Sequence, residues 1–177
     1  MKRSLIKTAV KARFLVWSRA GASRQIEREM EQYLGLARGL GEARSASPVR
    51  VPPMLGVDED MRDWSIYMIL EHNTIVNRSI TRVVTALTIG EQPTDRIDPK
   101  KDVMPSAEPG PEQVASFQAS VHEHLQTVKE GPRLRFTVKS RHPIFGPMDA
   151  HGWHCMFAFH LRLHRKQAEA VAVALEA

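Results

Sequence analysis

Apolar residues recur along the 177-residue chain at the three- and four-residue spacing of helices, and strand-like alternation is nearly absent. The first such segment, about Ser4 to Arg19, places Ile6, Val10, Phe14 and Trp17 on one face. Gly21 followed by Ser23 reads as a helix stop and a new N-cap, so a second piece is expected from Ser23 to Leu40. Whether these are one kinked helix or two is left open by the pattern. A loop rich in proline and small residues, GEARSASPVRVPPMLGVDED, follows. Asp63 then suits the N-cap of a long helix from Trp64 to about Ile89, closed by Gly90.

The stretch EQPTDRIDPKKDVMPSAEPGP is dense in proline and charge and predicts a long surface connection. Pro111 fits the first position of a helix reaching about Glu130, ended by Gly131 and Pro132. LRFTVKS alternates weakly enough to be a short extended piece, and Asp149 caps a last helix from Ala150 to about Leu175. The expected fold is all-α. It is an antiparallel four-helix bundle with long connections and an extra or kinked N-terminal helix, residues 1–177 forming one domain and 1–22 the extra helix.

Composition adds exclusions. Hydrophobic content of 42% and charged content of 25% are ordinary for a soluble globular chain. The single cysteine, Cys155, leaves no internal disulfide and no CxxC zinc site, so a metal here needs nitrogen or oxygen ligands. The net charge of +5 belongs to one segment: residues 1–50 carry eleven Lys/Arg against four Asp/Glu, and the rest fourteen against sixteen. Without basic–aromatic interleaving this favours a solvated basic helix over a nucleic-acid surface. No apolar run approaches the ~18–20 residues of a membrane span. The first 23 residues have the outline of a signal peptide, but Lys11 and Arg13 interrupt its apolar middle, so mature cytoplasmic protein is expected. The apolar face of the first helix needs covering, by the bundle or by a second subunit in a homodimer.

Eight histidines carry the candidate chemistry. In FHLRLHRKQ, His160 and His164 stand one turn apart on one helical face, where Cβ atoms are about 5–6 Å from each other. That face also carries Trp153, Met156, Phe157 and Ala168, so the pair points inward. His72 sits in a stripe with Met68, Ile69, Val76, Val83 and Leu87. Two readings stand: three separately hydrogen-bonded core histidines, or a metal site. His151 and His154 miss the azimuth of the pair, and His122 and His124 diverge on their helix. His142, before Pro143, is expected in a loop that could border a site's mouth, and no glutamate lies between the paired histidines as in HExxH. Cys155 has no histidine at a spacing that would activate it, and reads as a small buried residue.

Two stretches together resemble a known family. DWSIYMILEHNTIVNRSI resembles the second helix of the DinB-like superfamily, with its Trp-Ser start and single metal-binding histidine. RHPIFGPMDAHGWHCMFAFHLRLHRKQAEAV resembles that superfamily's last helix and the His-Pro-x-Phe-Gly turn before it, with an H-x-x-x-H-x-x-Q pattern at His160, His164 and Gln167. The resemblance spans residues 63–175. It implies that His72, His160 and His164 form a three-histidine site for a divalent metal, commonly zinc or nickel, inside a four-helix bundle, with Gln167 behind it. It also implies a thiol-dependent transferase or isomerase acting on a small molecule with a low-molecular-weight thiol, or a hydrolase. The alternative is a non-catalytic, stress-linked binding protein whose metal site is structural or vestigial. SRHPIFGP, stiffened by Pro143 and Pro147 and offering Phe145, is the expected wall of a pocket.

Overall fold

The computed structural model describes residues 2–93, 101–131, 133–135 and 137–176, without the side chains of residues 2–6. Ile6, Pro132, Phe136 and the stretch 94–100 of the long connection therefore lie outside the described residues in whole or in side chain. The elements are α1 (Lys2–Val16), α2 (Arg19–Ala46), α3 (Ile66–Thr88), α4 (Glu112–Glu130), a hairpin of β1 (Ser140–His142) and β2 (Gly146–Met148), and α5 (Ala150–Glu176). The expected all-α bundle is what forms, with α1 as the extra helix.

The break between α1 and α2 comes earlier than the glycine suggested. Ser18 leaves helical geometry (φ −77°, ψ 152°), and its hydroxyl accepts from the Gly21 amide at 3.0 Å. Gly21 lies inside α2, and a Cβ there would meet Ser18 Oγ at 2.9 Å and the Trp17 ring at 3.1 Å. The residue is small because the cap folds back on it, not because the helix stops. The end at Leu40 is marked by a true interruption, Gly41 at φ 73°, ψ 173°, after which one more turn runs to Ala46.

Asp63 is likewise not the cap of α3. It is exposed and paired with Arg50, while Ser65 Oγ accepts from the Met68 amide at 3.2 Å. Asp149 does cap α5, accepting from Gly152 N at 2.8 Å. The hairpin went unread because its strands are three residues each, too short to alternate. Its extended backbone begins at Ser140, the last residue of LRFTVKS. Gly146, at φ 73°, closes the turn in antiparallel register, Ser140 opposite Met148 and His142 opposite Gly146.

Helix directions follow from paired contacts. Along α2 and α5 the numbers rise together: Ser23 meets His154 and the Tyr33 hydroxyl donates to Leu161 O. Along α3 and α4 they also rise together, Asn77 with Ser120 and Thr81 with His124. Between the two pairs they oppose: the Arg19 guanidinium reaches Gly131 O, whereas Tyr33 packs edge-on against Phe117 at 5.0 Å. The bundle is two helices up and two down. Fully buried Tyr33 sits at its middle, donating to α5, accepting from Asn73 Nδ2 of α3 at 3.2 Å and touching α4. A tyrosine buried this deeply needs such partners, since an unmet hydroxyl costs roughly 1–3 kcal/mol. In α3 the core side runs through Ile66, Ile69, Leu70, Asn73, Asn77, Ile80, Val84 and Leu87; Val76 and Val83 are only half-buried. The described part of α1 rests on α5 mainly through Phe14, 5% exposed, which packs edge-on against Phe145 and Phe159. Of that face, Phe14 is covered by the chain itself and Val10 and Trp17 are partly buried against the core.

Because Ser65 rather than Asp63 caps α3, Ser65→Ala is expected to lower the unfolding free energy by about 1 kcal/mol. Asp63→Ala, at an exposed ion pair, should change it by less than about 0.5 kcal/mol. Urea unfolding midpoints of the two variants decide the assignment.

Candidate metal centre

α3 and α5 run against each other, which brings His72 opposite His160 and His164. One ring nitrogen of each lies within 4.8 Å of the others, forming a group that could hold a metal ion. His72 Nε2 and His160 Nε2 are 3.3 Å apart. Nitrogens at tetrahedral corners with bond lengths of ~2.0–2.1 Å are separated by roughly 3.3–3.4 Å, so this spacing fits two ligands of one ion. His72 and His164 are 2% and 3% exposed, and His160 is half-buried. Trp64 roofs the group, its ring 5.0 Å from His72 and stacked 6.5 Å from His164.

The outer nitrogens fix the tautomers. Val103 O can only accept, so His72 Nδ1, 2.7 Å away, carries the proton and Nε2 presents a lone pair. Gln167 Nε2 donates to Met61 O at 2.6 Å, which turns Oε1 toward His164 Nδ1 at 2.8 Å. His164 Nδ1 is then the donor and its Nε2 is also a lone pair. His160 differs: its Nδ1 is buried with no hydrogen-bond partner among the described residues. Gln167 of the H-x-x-x-H-x-x-Q pattern therefore has a stated task, orienting His164 from the Met61 turn.

Burial acts first on all three imidazoles, favouring the neutral form. It holds His72 at about 3, helped by His164 and opposed by the bond to Val103. His160 is well below its ordinary value through burial and the neighbouring His164, His72 and His142, and His164 is lowered by burial against the bond to Gln167. No carboxylate joins the group among the described residues. Three neutral nitrogens with aligned lone pairs suit a borderline divalent ion better than calcium or magnesium, which seek oxygen.

His142 lies near enough to help lower the pKa of His160. Its Nδ1 accepts from the amides of Ile144 and Phe145, at 3.0 and 3.3 Å, and its ring lies 5.2 Å from Trp153. Phe145, expected in a pocket wall, instead turns inward between Phe14 and Phe159. His122 is exposed while His124 is buried, the divergence expected on a helix. No residue spacing signals that His124 meets His154: Nε2 of His124 is 2.9 Å from Nδ1 of His154, with Phe157 stacked on His124 at 3.9 Å. Their helices, α4 and α5, have no shared azimuth to read from a single chain. Cys155 is buried as expected, but His151, one turn earlier, does stand at a spacing that reaches it, with Nε2 3.5 Å from the thiol; burial nonetheless pushes the thiol up to about 12.

An all-α bundle with a three-histidine cluster between two opposed helices is the class that fold and site define. A family model described as DinB superfamily matches residues 25–168, and the chain belongs to that superfamily. No curated protein and no solved structure matches it.

These buried imidazoles give the metal-free protein a defined response to acid. The folded-state values of His72, His124, His142, His151, His154, His160 and His164 all lie below the ordinary 6.5. Between pH ~6.5 and about 4 the unfolded chain binds protons that the folded chain refuses, so stability falls as pH falls. Each deeply buried group, such as His72 or His154, contributes up to about 1.4 kcal/mol per pH unit in that window. Urea midpoints of chelator-treated protein should be level above pH ~7 and drop steadily below 6.5; a midpoint unchanged from pH 7 to 5 contradicts this burial.

Proposed function

We propose that His72, His160 and His164 hold one divalent metal, zinc or nickel, and that the protein is a metal-dependent, thiol-using transferase acting on a small electrophile. The observation supporting this is the convergence of one ring nitrogen from each of the three histidines, two of which have their Nδ1 atoms already committed to Val103 and Gln167. Bound there, such a metal supplies Lewis acidity, lowering the pKa of a thiol or water at a position the three ligands leave open. Half-buried His160 lies on the accessible side, whereas His72 and His164 are closed in under Trp64. The chain brings no thiolate of its own, since Cys155 is buried and held protonated, so the thiol is a separate low-molecular-weight molecule. A lone, buried cysteine also suits the reducing cytoplasm where such thiols are abundant. The near-complete enclosure of His72 and His164 favours one second reading, a binding protein whose metal is structural.

Metal analysis and calorimetric titration test the first half. Alanine at His72, His160 or His164 should abolish stoichiometric zinc or nickel binding, and affinity should fall below pH ~6.5 as imidazoles protonate. Gln167→Leu removes the group that orients His164 and should weaken binding about 10–100-fold without abolishing it. A panel of electrophiles with several low-molecular-weight thiols, run on wild type and His160→Ala, tests the second half. Turnover that needs both metal and thiol supports the transferase; full metal occupancy with equal rates in both proteins shifts the reading to the structural metal.

A further inference from the structure

Helix α1 lies outside the matched span of residues 25–168 and takes no part in the metal centre. By sequence it holds Lys2, Arg3, Lys7, Lys11 and Arg13 and no acidic residue. Lys7, Lys11 and Arg13 are exposed, and Phe14 is the one described side chain of α1 that is buried. At its C-terminal end Leu15 and Val16 are 69% and 84% exposed, and Trp17 lies beneath the Arg13 guanidinium at 4.5 Å.

A second basic element comes from far along the chain. Arg135 donates to Leu15 O at 2.9 Å, which fastens the segment before the hairpin to the end of α1. Lys11, Arg135 and Lys139 thereby share a cavity of about 140 Å³ whose lining also includes Leu15, Pro147 and Met148. Asp149 is the one acid in the lining, one of its oxygens accepting from the Gly152 amide, so the hollow keeps an excess of two positive charges. Exposed Ile144 (55%) follows in the same hairpin, next to Phe145, which packs on Phe14. Three cations drawn together around a half-apolar hollow repel one another unless an anion joins them. Exposed aliphatic side chains beside clustered lysine and arginine are what an interfacial helix presents to a lipid surface.

We propose that this face, formed by α1 and the hairpin, docks on membranes containing anionic phospholipid. Lys11, Arg135 and Lys139 receive a headgroup phosphate, and Leu15 and Val16 enter the headgroup–acyl boundary. No described helix is long and apolar enough to cross a membrane, so the association is peripheral. The remainder of the chain after residue 50 has a small negative balance, which leaves the basic face as the pole that meets an anionic bilayer.

The test is co-sedimentation of the full chain with vesicles of phosphatidylcholine alone or mixed with phosphatidylglycerol. Binding is expected only to the mixed vesicles, weakening as salt rises. Replacing Lys11 and Lys139 together by glutamine should weaken it about 30-fold, each lysine contributing roughly fivefold. L15S with V16S should leave the low-salt attraction but remove the part that survives high salt. Circular dichroism and melting of each variant separate a lost surface from a lost fold. Equal binding to both vesicle types, or no effect of the lysine pair in a folded variant, overturns the proposal. So does displacement by inorganic phosphate at matched ionic strength, which would assign the hollow to a free anion. Tighter binding to duplex DNA than to anionic vesicles at the same salt would assign the face to nucleic acid instead.

Discussion

The structure depends on α3 and α4 running in the same direction. Two parallel neighbours cannot be joined by a tight turn; the chain must return about 35 Å, the length of α3, before α4 can begin. That return is the proline- and charge-rich connection, and its described C-terminal part lies across the N-terminal third of α3. Val103 O receives the His72 Nδ1 proton there, and the Ser106 amide and hydroxyl both donate to Glu71. A topological necessity thus supplies the group that turns the His72 lone pair toward His160. The same economy holds on the other side, where the turn before α3 offers Met61 O to Gln167. Each enclosed histidine is thus aimed, directly or through Gln167, by a backbone carbonyl outside the four bundle helices.

Burial and hydrogen bonding then divide the labour. Burial keeps the imidazoles neutral, the form that can bind a metal; it does not choose which nitrogen bears the proton. Val103 and Gln167 make that choice, and without them each ring could flip and lose its aim. Trp64 contributes packing without a competing acceptor. The cost of gathering three polar rings in a core is offset where their nitrogens are met, and a divalent ion would meet the ones facing inward.

What could be read from the sequence was whatever a single helix encodes. His160, His164 and Gln167 share a face by spacing alone, and His72 stands out as a polar residue beside an apolar stripe. The resemblance then joined α3 to α5, a pairing that helical azimuth cannot supply. Boundaries failed where two residues competed for one role. Asp63 and Ser65 are both good caps, and Arg50, thirteen residues away, draws Asp63 out of that role. Gly21 looked like a stop because its reason for being small, contact with Ser18 and Trp17, exists only after the chain has folded back. Val103 was illegible for a deeper reason: its side chain is irrelevant and its carbonyl does the work, so no residue type marks the position. The hairpin escaped because three-residue strands have no period to detect.

The two buried histidine clusters show why position alone does not identify a site. In the second cluster every ring nitrogen has a partner and the bonds run in one direction. Arg19 O can only accept, so His154 Nε2, 3.2 Å away and equally close to Ser23 Oγ, carries the proton; His124 Nε2 then donates to His154 Nδ1, and the Thr81 hydroxyl to His124 Nδ1. That chain crosses all four helices of the bundle and leaves no lone pair over for a ligand, so its role is to fix their register. The first cluster is as buried but incomplete. His72 and His164 present unprotonated Nε2 atoms to each other's neighbourhood, and whichever nitrogen of His160 bears its proton, Nδ1 finds no partner among the described residues. His160 Nε2, 3.3 Å from His72 Nε2, can donate to one of these lone pairs and leaves the other unmet. That deficit, more than the spacing of the histidines, marks this cluster as one that could hold a metal ion and sets it apart from the polar core beside it.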